Sequence, residues 1–212
     1  MGVTYSETRR SLHACAELLL AGPRFRATGT LRLRVGPRGF GTWEEPYVGE
    51  SGGDLVTDRQ RVALDGLTFE RAGTLAGLET SRLDDVYGDG PKVDPSETIR
   101  LDRESVSRVE KALLLGDRAL SEFRPEAERV LWPEHFDVTI TAGGVNYGVS
   151  PGDAYSPVPY AYVGPHQPVA GEFWNTPFGA ARELSTLRDV AGTVAFFREG
   201  AHLLATEPSA HH

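Results

Sequence analysis

Residues 131–153 read LWPEHFDVTITAGGVNYGVSPGD, and this stretch decides the fold. Apolar and polar residues alternate on both sides of Gly143-Gly144, which is typical of two half-buried strands joined by a tight turn. Glycine adopts the positive φ angles that a two-residue hairpin turn requires. The pattern therefore predicts a β-hairpin. Its register pairs Ala142 with Val145, Ile140 with Tyr147, and Val138 with Val149.

The predicted register divides the hairpin into two faces. The apolar face, directed at the core, holds Phe136, Val138, Ile140, Val145, Tyr147 and Val149. The polar face holds His135, Asp137, Thr139, Thr141, Asn146 and Ser150. An imidazole near a carboxylate can serve as a general base, so His135 and Asp137 are the candidate catalytic residues. A solvated polar face is the alternative explanation, because alternation alone produces one.

Aromatic and amide residues continue beyond the hairpin as far as residue 175. Loops of this composition on a rigid sheet are where ligand contacts concentrate. Residues 131–175 are therefore the segment that we expect to line a binding site. The candidate ligand-binding residues are Trp132, Asn146, Tyr160, Tyr162, His166, Trp174 and Asn175. The alternative is that the same aromatics form a small core beneath a proline-stiffened loop.

Alternating residues predict strands elsewhere in the chain. Residues 24–35 show the clearest alternation, with arginine and threonine on one face and small or apolar residues on the other. A Gly-Pro turn then returns the chain through residues 40–44, and residues 55–64 form another hairpin. Together with residues 130–150 and 158–164, these segments predict a largely antiparallel sheet, because short turns join consecutive strands.

Apolar stripes at helical spacing predict about three amphipathic helices. The first covers residues 4–21, with Cys15 on the buried stripe and His13 in solvent, and Gly22-Pro23 is expected to end it. The second covers residues 102–123. The third begins at the capping residues Thr186 and Asp189 and extends to Leu204.

The predicted fold class is α+β, with the largely antiparallel sheet packed against the three helices. We expect residues 1–206 to form a single domain, in which residues 131–180 are the functional segment. Residues 207–212 are expected to form a flexible tail.

Composition excludes several classes of partner. The 212-residue chain has a formal net charge of −8 and one cysteine. Nucleic acids and anionic membranes attract basic surfaces, so neither is an expected partner. A chain with one cysteine and no apolar segment of about 18 residues is predicted to be cytoplasmic. No Cys/His cluster has metal-ligand spacing and no nucleotide-binding motif is present, so neither a metal nor a cofactor is expected.

The runs LWPEHFDVTITAGGVNYGVSPGD, PYAYVGPH and FWNTPFGA resemble an uncharacterised family of high-GC bacteria, a domain of unknown function. The likeness is closest over residues 131–180. In that family a strand similar to HFDVTI precedes an aromatic, proline-rich stretch and a closing helix. The family has no assigned activity, so the resemblance implies one continuous domain and brings no catalytic residues.

Three functions remain open from the sequence. The chain binds a small molecule, or it is a hydrolase or isomerase in which Asp137 orients His135 as general base, or it is a non-catalytic protein-interaction domain. The shape of the site distinguishes them. A concave site where His135 and Asp137 converge favours catalysis, aromatic walls without that pair favour binding, and a flat aromatic patch favours a protein partner.

Overall fold

The computed structural model describes residues 2–206. The strands in this range are β1 Leu33–Val35, β2 Phe40–Thr42, β3 Val48–Ser51, β4 Asp54–Thr57, β5 Arg61–Ala63, β6 Val130–Trp132, β7 Asp137–Ala142, β8 Val145–Ser150, β9 Tyr160–Pro165 and β10 Ala180–Glu183. They form one antiparallel sheet in the order β10-β9-β8-β7-β6-β1-β2-β3-β4-β5. The sheet therefore consists of two meanders, joined where β1 pairs with β6.

Helices cover the apolar face of the sheet. They are α1 Tyr5–Cys15, a π-helical segment Ala16–Ala21, α2 Gly22–Thr28, α3 Phe69–Ala76, α4 Arg103–Phe123, α5 Leu184–Leu187 and α6 Val190–Thr206. The long helix α4 packs on β7 and β8, α6 packs on α4 and β9, and the π-helical segment packs on β1 to β3. The predicted α+β class, an antiparallel sheet packed against amphipathic helices, is confirmed.

The hairpin of β7 and β8 has the predicted register. Val138 pairs with Val149, and Gly143 and Gly144 turn the chain with φ angles of 59° and 75°. Helix α4 approaches this hairpin closely through Gly116. A Cβ at residue 116 would lie 2.6 Å from Val149 Cβ and 2.7 Å from a Val138 methyl group, so the contact requires glycine.

The prediction of one continuous strand over residues 131–141 is wrong. Strand β6 ends at Trp132, and residues 133–136 form a tight turn closed by the Phe136 amide, which donates to the Trp132 carbonyl at 2.8 Å. Phe136 has a φ of 54°, an unfavourable angle for a bulky residue. Burial of its ring compensates, because the ring packs edge-on against Phe40 and stacks on His13. His135 therefore lies in a turn, not on a strand face.

The predicted strand over residues 24–35 is also largely wrong. Residues 24–28 belong to α2, and only Leu33–Val35 form a strand. Helix α2 ends at Gly29, whose φ of 76° is the left-handed conformation that glycine favours at a helix C-terminus. The first part of the alternating segment is thus helical, because it continues the preceding helix.

Gly22-Pro23 does not end the N-terminal helix. The chain passes from α1 through the π-helical segment into α2, and proline is tolerated because it occupies the first turn of α2. Gly22 instead allows another segment to approach. A Cβ at this position would lie 2.0 Å from the Ser81 carbonyl oxygen, while the Ser81 amide donates to Leu18 at 3.0 Å. Cys15 is fully buried on the predicted stripe.

The predicted N-terminal cap of α4 is confirmed, and that of α6 is confirmed for Asp189 but not for Thr186, which lies within α5. Asp102 caps α4 by accepting from the Ser105 amide at 2.8 Å, and Asp189 accepts from the Gly192 amide at 2.9 Å at the start of α6. The predicted tail, residues 207–212, lies outside the described residues. Within residues 2–206, no helix combines the length and apolarity needed to cross a membrane.

Candidate functional site

A cavity of about 890 Å³ opens on the polar side of β7, β8 and β9. Its wall is formed by α1, by residues 89–91, by the turn that precedes β7, and by the chain between β8 and residue 178. Small-molecule sites in proteins have volumes of about 300–1,000 Å³. The cavity is therefore large enough for a metabolite.

Asp137 is the most enclosed acidic side chain in this wall. The residue is 6% exposed, at the first position of β7. Its Oδ2 accepts from the Tyr162 hydroxyl, whereas its Oδ1 is buried and has no partner among residues 2–206. Burial raises the pKa of the Asp137 carboxyl, and the hydrogen bond from Tyr162 opposes this change. A ligand that donates a hydrogen bond would satisfy Oδ1.

Tyr162 on β9 reaches across β8 to two polar side chains of β7. Its hydroxyl lies 3.2 Å from Thr139 Oγ1 and contacts Asp137, and its ring covers Gly148 on the intervening strand. A Cβ at residue 148 would lie 2.5 Å from this ring. Gly148 thus makes room for a tyrosine, not for a ligand approaching the backbone. Burial and the adjacent Asp137 carboxyl hold the pKa of Tyr162 well above its usual range, so Tyr162 is a hydrogen-bond donor at neutral pH.

Four aromatic rings form one side of the cavity, which we call the aromatic wall. They are Tyr155, Tyr160, Tyr162 and Phe178. Each ring contacts two others at centroid distances between 5.0 and 6.3 Å. Tyr155 is 50% exposed and Phe178 is 39% exposed, so the wall presents apolar surface to a ligand.

Asn146 and His166 form a polar pair in the cavity wall. Their side chains contact each other, with Asn146 Oδ1 3.1 Å from His166 Nε2. The same amide oxygen accepts from the Thr141 hydroxyl at 2.8 Å. The amide Nδ2 group of Asn146 is thereby oriented by two neighbours, which is how a binding site fixes a hydrogen-bond donor.

Helix α1 contributes basic and aromatic groups to the site. His13 stacks on Phe136 with ring centroids 5.3 Å apart, and its Nε2 lies 2.7 Å from the Pro133 carbonyl oxygen. Burial lowers the pKa of His13 to about 4, so the ring is neutral at pH 7 and donates from Nε2. The expectation that His13 is solvated is wrong, because the turn before β7 folds over it.

His135 and Asp137 make separate contacts in the site, and their catalytic role stays a prediction. His135 Nε2 lies 3.9 Å from Glu134, and the His135 side chain is 56% exposed. Asp137 accepts a hydrogen bond from the Tyr162 hydroxyl through its Oδ2. Both residues line the cavity, but in the described chain no hydrogen bond joins them, so Asp137 does not fix the tautomer of His135.

The structure brings six of the nine candidate site residues to the cavity wall: His135, Asp137, Asn146, Tyr160, Tyr162 and His166. Trp132, Trp174 and Asn175 are not in the wall. Trp174 packs edge-on against Phe173 at the core, and Asn175 exchanges hydrogen bonds with the Ala181 backbone at 3.0 and 3.3 Å. Trp132 is 37% exposed on β6.

Sequence reasoning missed the residues of the wall that come from distant segments. They are chiefly Arg9 and His13 from α1 and Phe178 from the stretch before β10. The signal for Phe178 was present in the same aromatic run that contains Tyr160 and Tyr162. Arg9 had no local signal, because only the tertiary contact of α1 with residues 151–157 brings it to the site.

The described residues of this site do not include a set of side chains that could hold a metal ion. Within the described chain, no group of three or more His, Cys, Asp or Glu side chains is arranged to hold a metal ion. The polar groups of the cavity are hydroxyl, amide, imidazole and isolated charged groups, which suit an organic ligand.

Comparisons of the chain with protein-family models, with curated proteins and with solved structures found no match. The resemblance to a domain of unknown function thus stays a prediction. Any function has to be inferred from the site itself.

Proposed function

We propose that this protein binds a small organic molecule in the cavity beside β7, β8 and β9. The observation that carries the proposal is Asp137 Oδ1, a buried acceptor in the cavity wall with no partner among residues 2–206. A buried polar atom without a hydrogen bond costs about 1–3 kcal/mol, and a charged one costs more. A bound donor would recover that energy in the complex.

The shape of the site supports binding over the alternatives. The site is concave, whereas a protein-interaction domain is expected to present a flat aromatic patch, so the shape disfavours that function. Its aromatic wall supplies apolar surface, and Asn146 supplies an oriented amide. His135 lacks an orienting carboxylate, so the observations that would favour general-base catalysis are missing from the described residues.

A thermal-shift screen of a metabolite library tests the proposal and does not require the ligand to be identified first. Ligand that binds the native state at 100 times its Kd stabilises the protein by about 2.7 kcal/mol. We expect at least one compound to raise the Tm of the wild type. Asn146→Ala and His135→Ala should each cost under about 1 kcal/mol of stability, because both side chains are at least partly exposed, yet should reduce that shift.

Asn175→Ala is the matched control for Asn146→Ala. Asn175 lies outside the cavity and its amide supports the Ala181 backbone, so its loss should cost about 1 kcal/mol while the ligand-induced shift is retained. The proposal fails if no compound raises the Tm of the wild type. It also fails if Asn146→Ala and His135→Ala both lose several kcal/mol of stability and keep the full ligand response, because the polar face would then be an internal structural network.

A further inference from the structure

Two buried polar atoms of opposite charge type lie in the wall of the cavity without a hydrogen-bond partner in residues 2–206. They are Asp137 Oδ1 and Arg9 Nη1. The residue Asp137 is 94% buried, since 6% of its surface is exposed. Asp137 has one hydrogen bond, from Tyr162, and Arg9 is partly buried, but a buried polar atom without a partner is costly, and two such atoms at one cavity call for an explanation.

Arg9 is held in place by the loop that closes this side of the cavity. The backbone of Gly152, with a φ of 111°, lies against the guanidinium group, and a Cβ there would stand 2.5 Å from Arg9 Nη1. The hydroxyl of Tyr5, on the same helix, donates to the Pro151 carbonyl at 2.6 Å and fixes the loop to α1. The guanidinium is thereby positioned by the protein before any ligand arrives.

Two neighbouring charged groups, Arg10 and Asp153, are already satisfied within the protein. Arg10 makes two hydrogen bonds to the Glu97 carboxylate, at 2.8 and 3.2 Å. Asp153 accepts from the Tyr160 hydroxyl at 2.6 Å and from two backbone amides, at 2.8 and 3.1 Å. Arg9 and Asp137 differ from these groups, and from Asp89 and Glu134, which also line the cavity, in having a buried polar atom without a partner in residues 2–206.

We propose that the ligand is a small zwitterionic molecule, whose ammonium group donates to Asp137 Oδ1, whose carboxylate accepts from Arg9, and whose apolar body lies on the aromatic wall. This inference rests on the proposed function, because it names the class of ligand for the same cavity.

The chemistry of each contact fits this ligand class. An ammonium group offers N–H donors to the free oxygen of Asp137, and the electron-rich faces of Tyr160 and Tyr162 beside it also attract cations. A planar guanidinium matches the geometry of a carboxylate better than an ammonium group does. The aromatic wall then accepts an aromatic or aliphatic body between the two charged ends.

A set of matched probes separates the two charged contacts. L-phenylalanine and the dipeptide L-phenylalanyl-L-phenylalanine carry both charges at two separations. Phenethylamine carries only the ammonium group, and 3-phenylpropionate carries only the carboxylate. We expect isothermal titration calorimetry to show that one or both zwitterions bind about tenfold or more tightly than the single-charge analogues, because each buried charge contact adds to affinity.

Two variants with matched controls assign the contacts. Asp137→Asn should weaken zwitterion binding about tenfold or more and leave 3-phenylpropionate unchanged, and Arg9→Gln should weaken the zwitterion similarly and leave phenethylamine unchanged. Arg118→Gln and Asp58→Asn are the controls, since both side chains are exposed and lie outside the cavity wall. Both should bind every probe within about twofold of the wild type.

The outcomes distinguish this inference from the function on which it rests. If the single-charge analogues bind as tightly as the zwitterions, if neither variant changes the preference, or if neither zwitterion binds, the zwitterion assignment is overturned. A hit from the metabolite screen that lacks one of the two charges, and that is lost in Asn146→Ala, would leave the proposed binding function standing. A screen in which no compound raises the Tm of the wild type would remove both.

Discussion

Phe136→Ala is expected to lower the free energy of unfolding by about 3–5 kcal/mol, the range for removing a buried aromatic ring. The ring is 2% exposed and packs at 5.2 Å from Phe40 and 5.3 Å from His13. Because these contacts hold residue 136 at a φ of 54°, the substitution also removes the packing that stabilises the turn before β7. Chemical denaturation measures the effect directly.

Phe178→Ala is the control for this measurement. Its ring is 39% exposed on the aromatic wall, so its removal should cost about 1 kcal/mol or less. An unfolding midpoint for Phe136→Ala equal to that of the wild type would contradict the burial of residue 136. The position of Asp137 in the cavity would then be wrong as well.

Glu50 should lower stability as the pH rises from about 4.5 to about 8, whereas the buried neutral His13 should oppose this loss below about pH 6.5. Glu50 is 0% exposed on β3, and its Oε2 has no partner in the part of the chain that the structure describes. Burial raises the pKa of Glu50 to about 8, although the Gly53 amide donates to Oε1 at 2.7 Å and opposes the change. The folded state therefore holds a proton that the unfolded state releases near its ordinary pKa of 4.5.

The sign follows from proton uptake. Between about pH 4.5 and pH 8 the Glu50 carboxyl binds more protons in the folded state than in the unfolded state, so its contribution to stability falls with each rise in pH and is lost above about pH 8. One unit of pKa difference corresponds to about 1.4 kcal/mol, so the loss amounts to a few kcal/mol.

Glu50→Gln removes this titration. The variant should match the wild type near pH 5 and exceed its free energy of unfolding by a few kcal/mol at pH 8, as measured by denaturation at several pH values. Glu122→Gln, on the exposed side of α4, should follow the wild type throughout. Parallel curves for Glu50→Gln and the wild type would show that Glu50 ionises without cost and is solvated.

Where local pattern and tertiary structure agree, the fold is readable from the sequence. The β7–β8 hairpin is an example, because two glycines fix the turn and strict alternation leaves one register that buries Val138 and Val149. The cap and apolar stripe of α4 are another. In both elements the residues that decide the structure are neighbours in the chain.

The errors arose where a distant contact decides the conformation. Gly22 has the local pattern of a helix end, yet it admits the Ser81 carbonyl, a contact that no local pattern encodes. Phe136 has the pattern of a strand residue, yet its burial against Phe40 and His13 turns the chain. Sequence periodicity shows which side chains are apolar, but it does not show which residues they contact in the folded protein.

The candidate site likewise contains some residues that could be predicted from the sequence and others that could not. The groups on β7, β8 and β9 could be predicted because strand alternation places Asp137, Asn146, Tyr160 and Tyr162 on one side of the sheet. The contribution of Arg9 could not, since it depends on how α1 docks against residues 151–157. The arginine that would bind the carboxylate of the ligand could therefore not be predicted from the sequence.

The central claim is that the free oxygen of Asp137 is kept for a ligand and does not serve the fold. The free energy of unfolding of Asp137→Asn at pH 8 tests it most directly, because asparagine keeps an oxygen to accept from Tyr162 and replaces the buried Oδ1 that has no partner. The account predicts a variant at least as stable as the wild type, by about 0–2 kcal/mol, that no longer responds to ligand. A loss of several kcal/mol would contradict the account, because Asp137 would then be part of the structural network of the sheet.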